Sequence, residues 1–134
     1  MALRWYSVVV DASDIAMLAR WWAETLDWQL IYEDEDEAAI VPRDVDGGII
    51  DDPDLWRRQG PGMVFVLVPE AKTVKNRLHI DLAPHISDDR EASIQRLVDR
   101  GATRVDVGQR EDVTWTVLAD PEGNEFCVLS SRDR

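Results

Sequence analysis

The feature that most constrains this chain is an order of predicted elements that occurs twice: a strand, a helix and then three strands. In the first half, an apolar run from Trp5 to Val10 predicts the opening strand. Apolar residues then recur at helical spacing from Ile15 to Leu26, after Asp14, which is suited to capping a helix. Three further strands are predicted at residues 28–32, 38–41 and 63–68.

The second half repeats this order with different residues. Strands are predicted at 77–82, 103–107, 113–119 and 125–130, and a helix at 88–101. Asp88 and Glu91 resemble a capping box at the start of that helix, and Gly101 ends it. Alternation along 77–82 predicts one face, packed under the helix, formed by Leu78, Ile80 and Leu82, and an opposite face formed by Arg77, His79 and Asp81.

Length and charge narrow the function classes. A chain of 134 residues fits one domain. Its net charge of −12 would repel nucleic acid and anionic membranes, so neither is expected as a partner. The single cysteine, Cys127, excludes an intramolecular disulfide and is typical of a reducing compartment. With no signal-peptide pattern in residues 1–10, a cytoplasmic location is expected.

Three stretches carry a resemblance to a known family. The segment 14–22, DIAMLARWW, is similar to its first helix, and the segment 68–82, VPEAKTVKNRLHIDL, resembles its entry into the second half. The segment 120–128, DPEGNEFCV, resembles its closing hairpin. Together, in this order, they resemble glyoxalase-like domains of the glyoxalase/bleomycin-resistance/dioxygenase, or vicinal oxygen chelate, superfamily.

The resemblance implies an α+β fold in which two β-α-β-β-β modules form a curled mixed sheet with a concave pocket. The modules would span about residues 4–69 and 76–130 of a single domain, 1–134. Such proteins often assemble as homodimers, and they bind small molecules with or without a divalent metal in the pocket.

The metal ligands that the resemblance implies are only partly present. Ser7 stands where the family usually has a histidine, and the strand at 63–68 offers neither histidine nor carboxylate. His79 matches a family ligand, whereas Cys127 replaces the usual glutamate, with Glu125 on the same face of its strand. The expectation is therefore no cofactor, with a divalent metal on His79, completed by Ser7 and Cys127 or by Glu125, as the alternative.

The predicted site combines polar groups with aromatic walls. His79 and Glu125 are the candidate catalytic residues, since a histidine titrates near neutral pH. The candidate ligand-binding residues are Trp5, Ser7, Arg77, Asp81, Trp115 and Cys127. The alternatives left open are a buried His79 that is hydrogen-bonded to Asp81 or to a backbone group, and a Cys127 that is only a small buried residue.

Three functions remain compatible with this pattern. The first is a protein that binds a small, partly aromatic molecule without a complete metal site. The second is a metal-dependent lyase, isomerase or ring-cleaving dioxygenase of the same superfamily. The third is a dimeric scaffold without a ligand, in which the helical stripe containing Met17 and Trp21 forms the interface.

Overall fold

The strands of this protein form two separate four-stranded sheets, each with its own helix. The computed structural model describes residues 2–134, in two units: the first ends at Ala71 and the second runs from Lys72 to Arg134. The α+β class and the two β-α-β-β-β modules are confirmed. That the modules make up a single domain stays a prediction. Within residues 2–134, no helix has the length and apolar character needed to span a membrane.

The first unit contains one mixed sheet and two helices. Its elements are β1 (Ser7–Ala12), α1 (Ile15–Leu26), β2 (Trp28–Glu33), β3 (Glu37–Pro42), α2 (Pro53–Arg58) and β4 (Gly62–Leu67). The strand order is β1-β4-β3-β2, with β1 parallel to β4 and the other pairs antiparallel. The long connection between β3 and β4 contains the short helix α2.

Helix α1 forms because capping residues stand at both of its ends and its apolar residues fall on one buried face. The Asp14 side chain accepts a hydrogen bond from the Met17 N–H at the first turn, and Asp27 ends the helix in the left-handed conformation (φ 54°). Trp21 is only 6% exposed and belongs to the core. The expectation that Trp21 contributes to a dimer interface is therefore wrong, whereas Met17 is 38% exposed.

The second unit has the same arrangement on a smaller scale. Its elements are β5 (Ile80–Leu82), α3 (Arg90–Asp99), β6 (Thr103–Arg104), β7 (Thr116–Ala119) and β8 (Glu125–Val128). The strand order is β5-β8-β7-β6, and β5 runs parallel to β8. The cap of α3 is Asp89, which accepts from the Ala92 N–H, and not Asp88 as predicted.

Strand β5 is shorter than predicted, and the face assigned to Leu78 is wrong. The register pairs Ile80 with Phe126, so residues 77 and 78 fall opposite the turn that precedes β8 and find no strand to pair with. Leu78 is consequently 89% exposed instead of packed under the helix. Strand β7 likewise begins only at Thr116, so Trp115 precedes it.

The start of β8 is fixed by a side chain inside the β7–β8 turn. Asp120 is 3% exposed, and its Oδ1 accepts the N–H groups of Glu122 and Asn124 at 2.9 and 3.0 Å. Gly123 adopts φ +91°, which other residues rarely do. This closed turn sets the register from which Glu125 and Cys127 project.

Candidate functional site

The second unit contains a cavity of about 410 Å³. Its apolar wall consists of the side chains of Val107, Trp115, Val117 and Leu129. Polar side chains form the remainder, namely Lys75, Asn76, His79, Asp81, Gln109 and Glu125, together with Gly108 and the thiol of Cys127. Five of the predicted site residues therefore line one cavity: His79, Asp81, Trp115, Glu125 and Cys127.

Alternation along β8 explains how its polar residues reach the cavity. Glu125, Cys127 and Leu129 line it, while Phe126 and Val128 are 1% and 3% exposed in the core. The parallel pairing with β5 places Asp81 directly beside Cys127.

His79, Asp81 and Cys127 form a cluster of three possible metal or proton-transfer groups. His79 Nδ1 lies 3.3 Å from Asp81 Oδ1 and 3.9 Å from Cys127 Sγ. The side chain of His79 is 45% exposed, so the interpretation of a buried core histidine is wrong, although its expected partner Asp81 is present. Cys127, in contrast, is only 6% exposed, in agreement with the small buried residue that was considered.

The geometry of this cluster does not activate the thiol. Both Asp81 and Cys127 approach the same ring nitrogen, Nδ1, whereas a nucleophilic triad uses the two nitrogens for different partners. Burial raises the pKa of the Cys127 thiol, and the charge of Asp81 and a hydrogen bond to it raise the pKa further against a smaller opposing effect of Lys75. At neutral pH the thiol is protonated and a weak nucleophile.

The same three residues fit a divalent metal ion. One donor atom from each lies within 4.8 Å of the others. Bonds of about 2.0–2.3 Å to a tetrahedral ion place donor atoms roughly 3.3–3.7 Å apart. The observed 3.3 and 3.9 Å come close to this without large movement. In such a site Asp81 would replace Ser7 or Glu125, which the resemblance had suggested as the additional ligands.

Glu125 is committed to other partners. Lys72 Nζ lies 2.9 Å from its carboxylate oxygens, and the Asn76 N–H donates to Oε2 at 3.1 Å. Burial alone would raise the pKa of Glu125, but these hydrogen bonds and the charge of Lys72 outweigh burial, and the pKa is lowered. Glu125 is therefore an ionised acceptor at neutral pH, and its role as a catalytic residue stays a prediction.

The other predicted site residues are not among those that line this cavity. Arg77 is not among the residues that line the cavity: residues 77 and 78 form a bend, so the alternation of β5 extends back to His79 but not to Arg77. Trp5 and Ser7 belong to the first unit, where the Trp5 indole donates to the Ser7 carbonyl at 3.2 Å and Ser7 pairs with Gly62. Their membership of the ligand site stays a prediction.

Sequence reasoning missed the segment that precedes β5. Lys72, Lys75 and Asn76 hold or line the site, and none of them was a candidate. One signal was present: Lys72 and Lys75 are the only two lysines in a chain with 27 acidic residues. Gln109 gave no comparable signal, because it lies in a loop between β6 and β7.

Comparison with known proteins agrees with this architecture. The model of a family described as "Glyoxalase-like domain" matches residues 7–129. No curated protein matches the chain.

Solved structures give the same fold at low sequence identity. A glyoxalase/bleomycin resistance protein/dioxygenase family enzyme from Burkholderia phytofirmans PsJN is 14% identical over 97% of this chain and 100% of that chain, with a TM-score of 0.66. The fosfomycin resistance protein FosX from Mesorhizobium loti is 12% identical over 96% and 92%, with a TM-score of 0.64. A mutant FosX from Listeria monocytogenes, complexed with Mn(II) and 1S,2S-dihydroxypropylphosphonic acid, is 9% identical over 98% and 93%, with a TM-score of 0.68.

Proposed function

Because the chain belongs to the family of glyoxalase-like domains, we propose that it binds a small, partly aromatic molecule in the cavity of its second unit. The observation that carries this proposal is the cavity itself: about 410 Å³, lined by an indole, aliphatic side chains and several polar groups. Small-molecule sites are typically about 300–1,000 Å³, largely apolar, with a small number of orienting polar groups.

The apolar wall favours a planar ligand. Trp115 is 40% exposed, so part of its indole is accessible to a ligand. Val117, which also lines the cavity, is only 4% exposed. Stacking of one aromatic ring on another contributes about 0.5–1.5 kcal/mol beyond burial of area. His79, Asp81 and Gln109 would then orient polar substituents of the ligand.

Calorimetric titration with 2-naphthamide, an uncharged two-ring probe, tests this proposal. We expect measurable binding, weakened about tenfold in a Trp115→Ala variant through the loss of ring contact and buried area. Trp56→Ala is the matched control, because Trp56 is 37% exposed, similar to Trp115, but lies in α2 of the first unit. Equal losses in both variants, or no binding by the native protein, would contradict the proposal.

A second candidate is a metal-dependent lyase, isomerase or dioxygenase, favoured by the His79–Asp81–Cys127 cluster. These three residues would hold the ion, leaving coordination positions open. A bound divalent ion would supply a Lewis acid that polarises an oxygen of the ligand. The FosX structure that contains Mn(II) shows that one protein of this fold holds such an ion.

Binding of Co²⁺ separates this candidate from a metal-free binding protein. If the cluster holds a metal, the titrated protein develops a thiolate-to-cobalt absorption band, which Cys127→Ser abolishes and His79→Ala weakens. His85→Ala is the control, because His85 is the other histidine of the chain and contacts Ser87, outside the cluster. Absence of the band at saturating Co²⁺ would contradict the metal-dependent enzyme and favour the metal-free binding protein.

Assembly and location complete the proposal. We propose a homodimer in a reducing, cytoplasmic setting, supported by the family resemblance and by a single cysteine held as a thiol. Sedimentation at micromolar concentration tests the assembly, and a dimer that binds none of the probes would favour a scaffold without a ligand.

A further inference from the structure

The charged side chains that line the cavity differ in whether they have an oppositely charged or hydrogen-bonding side chain as a partner. Asp81 has His79 Nδ1 at 3.3 Å, and Glu125 has Lys72 and the Asn76 N–H. Glu125 therefore already has a positively charged partner beside the cavity, whereas the partner of Asp81 is a histidine, which carries a charge only when it is protonated. A cationic ligand would have to displace one of these partners before it gained a carboxylate.

Lys75 is the exception among these charged groups. Its Nζ donates to the carbonyl of the adjacent Asn76 at 3.1 Å, and within residues 2–134 it forms no ion pair with a carboxylate. Its side chain nevertheless lines the cavity, together with Trp115 and Asp81. Lys75 is exposed, so its ammonium group is accessible to a ligand in the cavity.

We propose that the molecule bound in this cavity carries an acidic group, such as a carboxylate, which pairs with Lys75 while its ring packs on Trp115. This inference rests on the proposed function and names the ligand class: small aromatic acids. An oxyanion is the complement of Lys75, the lysine that lines the cavity and forms no ion pair within residues 2–134, and charge-assisted hydrogen bonds are about twice as strong as neutral ones.

The charge of the whole chain works against this ligand at a distance. With a net charge of −12, the protein repels an anion until the anion comes within contact range of Lys75. Selection of an acid must therefore come from the local ion pair and not from the general field. This separates a specific contact from non-specific attraction, which a strongly basic protein would show.

A pair of probes with the same ring system tests the proposal: 2-naphthoate, which is anionic, and 2-naphthamide, which is not. We expect the native protein to bind the acid about five- to tenfold more tightly than the amide. Lys75→Gln should abolish this preference, and Lys75→Arg should retain most of it. Arg77→Gln is the matched control. Arg77 lies two residues after Lys75 and carries the same charge, but its side chain does not line the cavity.

Each outcome has one meaning. If the amide binds as tightly as the acid, the ligand class is wrong while the proposed binding function stands. If Lys75→Gln and Arg77→Gln reduce the preference equally, the effect is one of total charge and the assignment of Lys75 is overturned. If neither probe binds, the proposed function fails, and the ligand class fails with it.

Discussion

The thiol of Cys127 is held in its neutral form by its surroundings. Burial and the neighbouring Asp81 carboxylate raise its pKa above the ordinary value of 9.0. Since the thiolate is the reactive form, alkylation by iodoacetamide should be slow at pH 7 and should accelerate only above the pH at which a free thiol reacts. As the chain contains one cysteine, mass spectrometry of the whole protein measures this rate directly.

Replacing Asp81 separates the two causes. Asp81→Asn removes the charge but not the burial, so alkylation at a given pH should become several-fold faster. Asp88→Asn, which removes an exposed carboxylate outside the cavity, should leave the rate unchanged. A slower reaction in Asp81→Asn would contradict the electrostatic account.

The ionised carboxylate of Glu125 should make the free energy of unfolding depend on pH in the acid range. Its pKa in the folded protein is lowered below the ordinary value of 4.5, so folding favours the ionised form. This contribution is present above the pKa of the unfolded chain and is lost as the pH falls through the lowered pKa. Glu125→Gln should therefore cost about 1–2 kcal/mol at pH 7, and the cost should shrink towards pH 3.

Urea unfolding at several pH values measures this effect. The control is Glu111→Gln, since Glu111 is an exposed glutamate of the same unit. A loss of stability in Glu125→Gln that stays constant from pH 7 to pH 3 would show that the ion pair with Lys72 is not its origin.

At this scale, the sequence predicted the residues that follow strand alternation. His79 and Asp81 share one face, and Glu125 and Cys127 share another, because a period of two fixes these positions once the strands are found. Lys75 and Gln109 lie in irregular segments, where no periodicity fixes the direction of a side chain. The pattern failed for Arg77 because residues 77 and 78 form a bend before the strand, whereas His79 directly adjoins it.

Among the elements, α3 is linked to the C-terminal end of β8 by hydrogen bonds from the side chain of Arg90, the first residue of the helix. Arg90 donates to the carbonyls of Leu129 and Val128, each at 2.8 Å, and to Thr116 Oγ1 at 3.0 Å. These bonds satisfy carbonyls where β8 ends and hold the strand that carries Cys127. The start of the helix and the wall of the cavity are therefore coupled.

Arg90→Leu should lower the free energy of unfolding by about 2–3 kcal/mol, because it leaves partly buried carbonyls without donors. Arg96→Leu on the same helix is the control, since Arg96 is exposed and donates to the Ser93 hydroxyl at 3.3 Å. Thermal unfolding measures both variants, and equal effects would show that the carbonyl contacts contribute little.

The sequence found the elements but not all of their lengths. Helix α1 was predicted closely because its cap and its apolar stripe agree. Strands β5, β6 and β7 are shorter than their apolar patterns predict. Strand length is set by the partner strand, and the start of β8 at the Asp120 turn removes the partner that residues 77 and 78 would need.

For the whole molecule, the repeated order of elements was sufficient to predict two modules of one architecture. The division of the strands into two sheets of four was not predicted, because pairing between strands distant in the chain leaves no local signal. The parallel pairs β1–β4 and β5–β8 join strands from the beginning and the end of each module.

The charge of the whole chain makes a separate prediction. With a net charge of −12, self-repulsion opposes the folded state and is screened by salt. We expect the melting temperature to rise by roughly 2–5 °C between 10 and 300 mM NaCl, as measured by circular dichroism. A fall over this range would show that ion pairs such as Arg20–Glu33 outweigh the repulsion.

The central claim is that the cavity of the second unit is a ligand site, and chemical-shift mapping by NMR with 2-naphthamide tests it most directly. The account predicts that the largest shifts occur at backbone amides around the cavity, including those of Asn76, Gly108 and Val117, and saturate at a single affinity. Saturable shifts confined to residues of the first unit, or no shifts at millimolar probe, would contradict it.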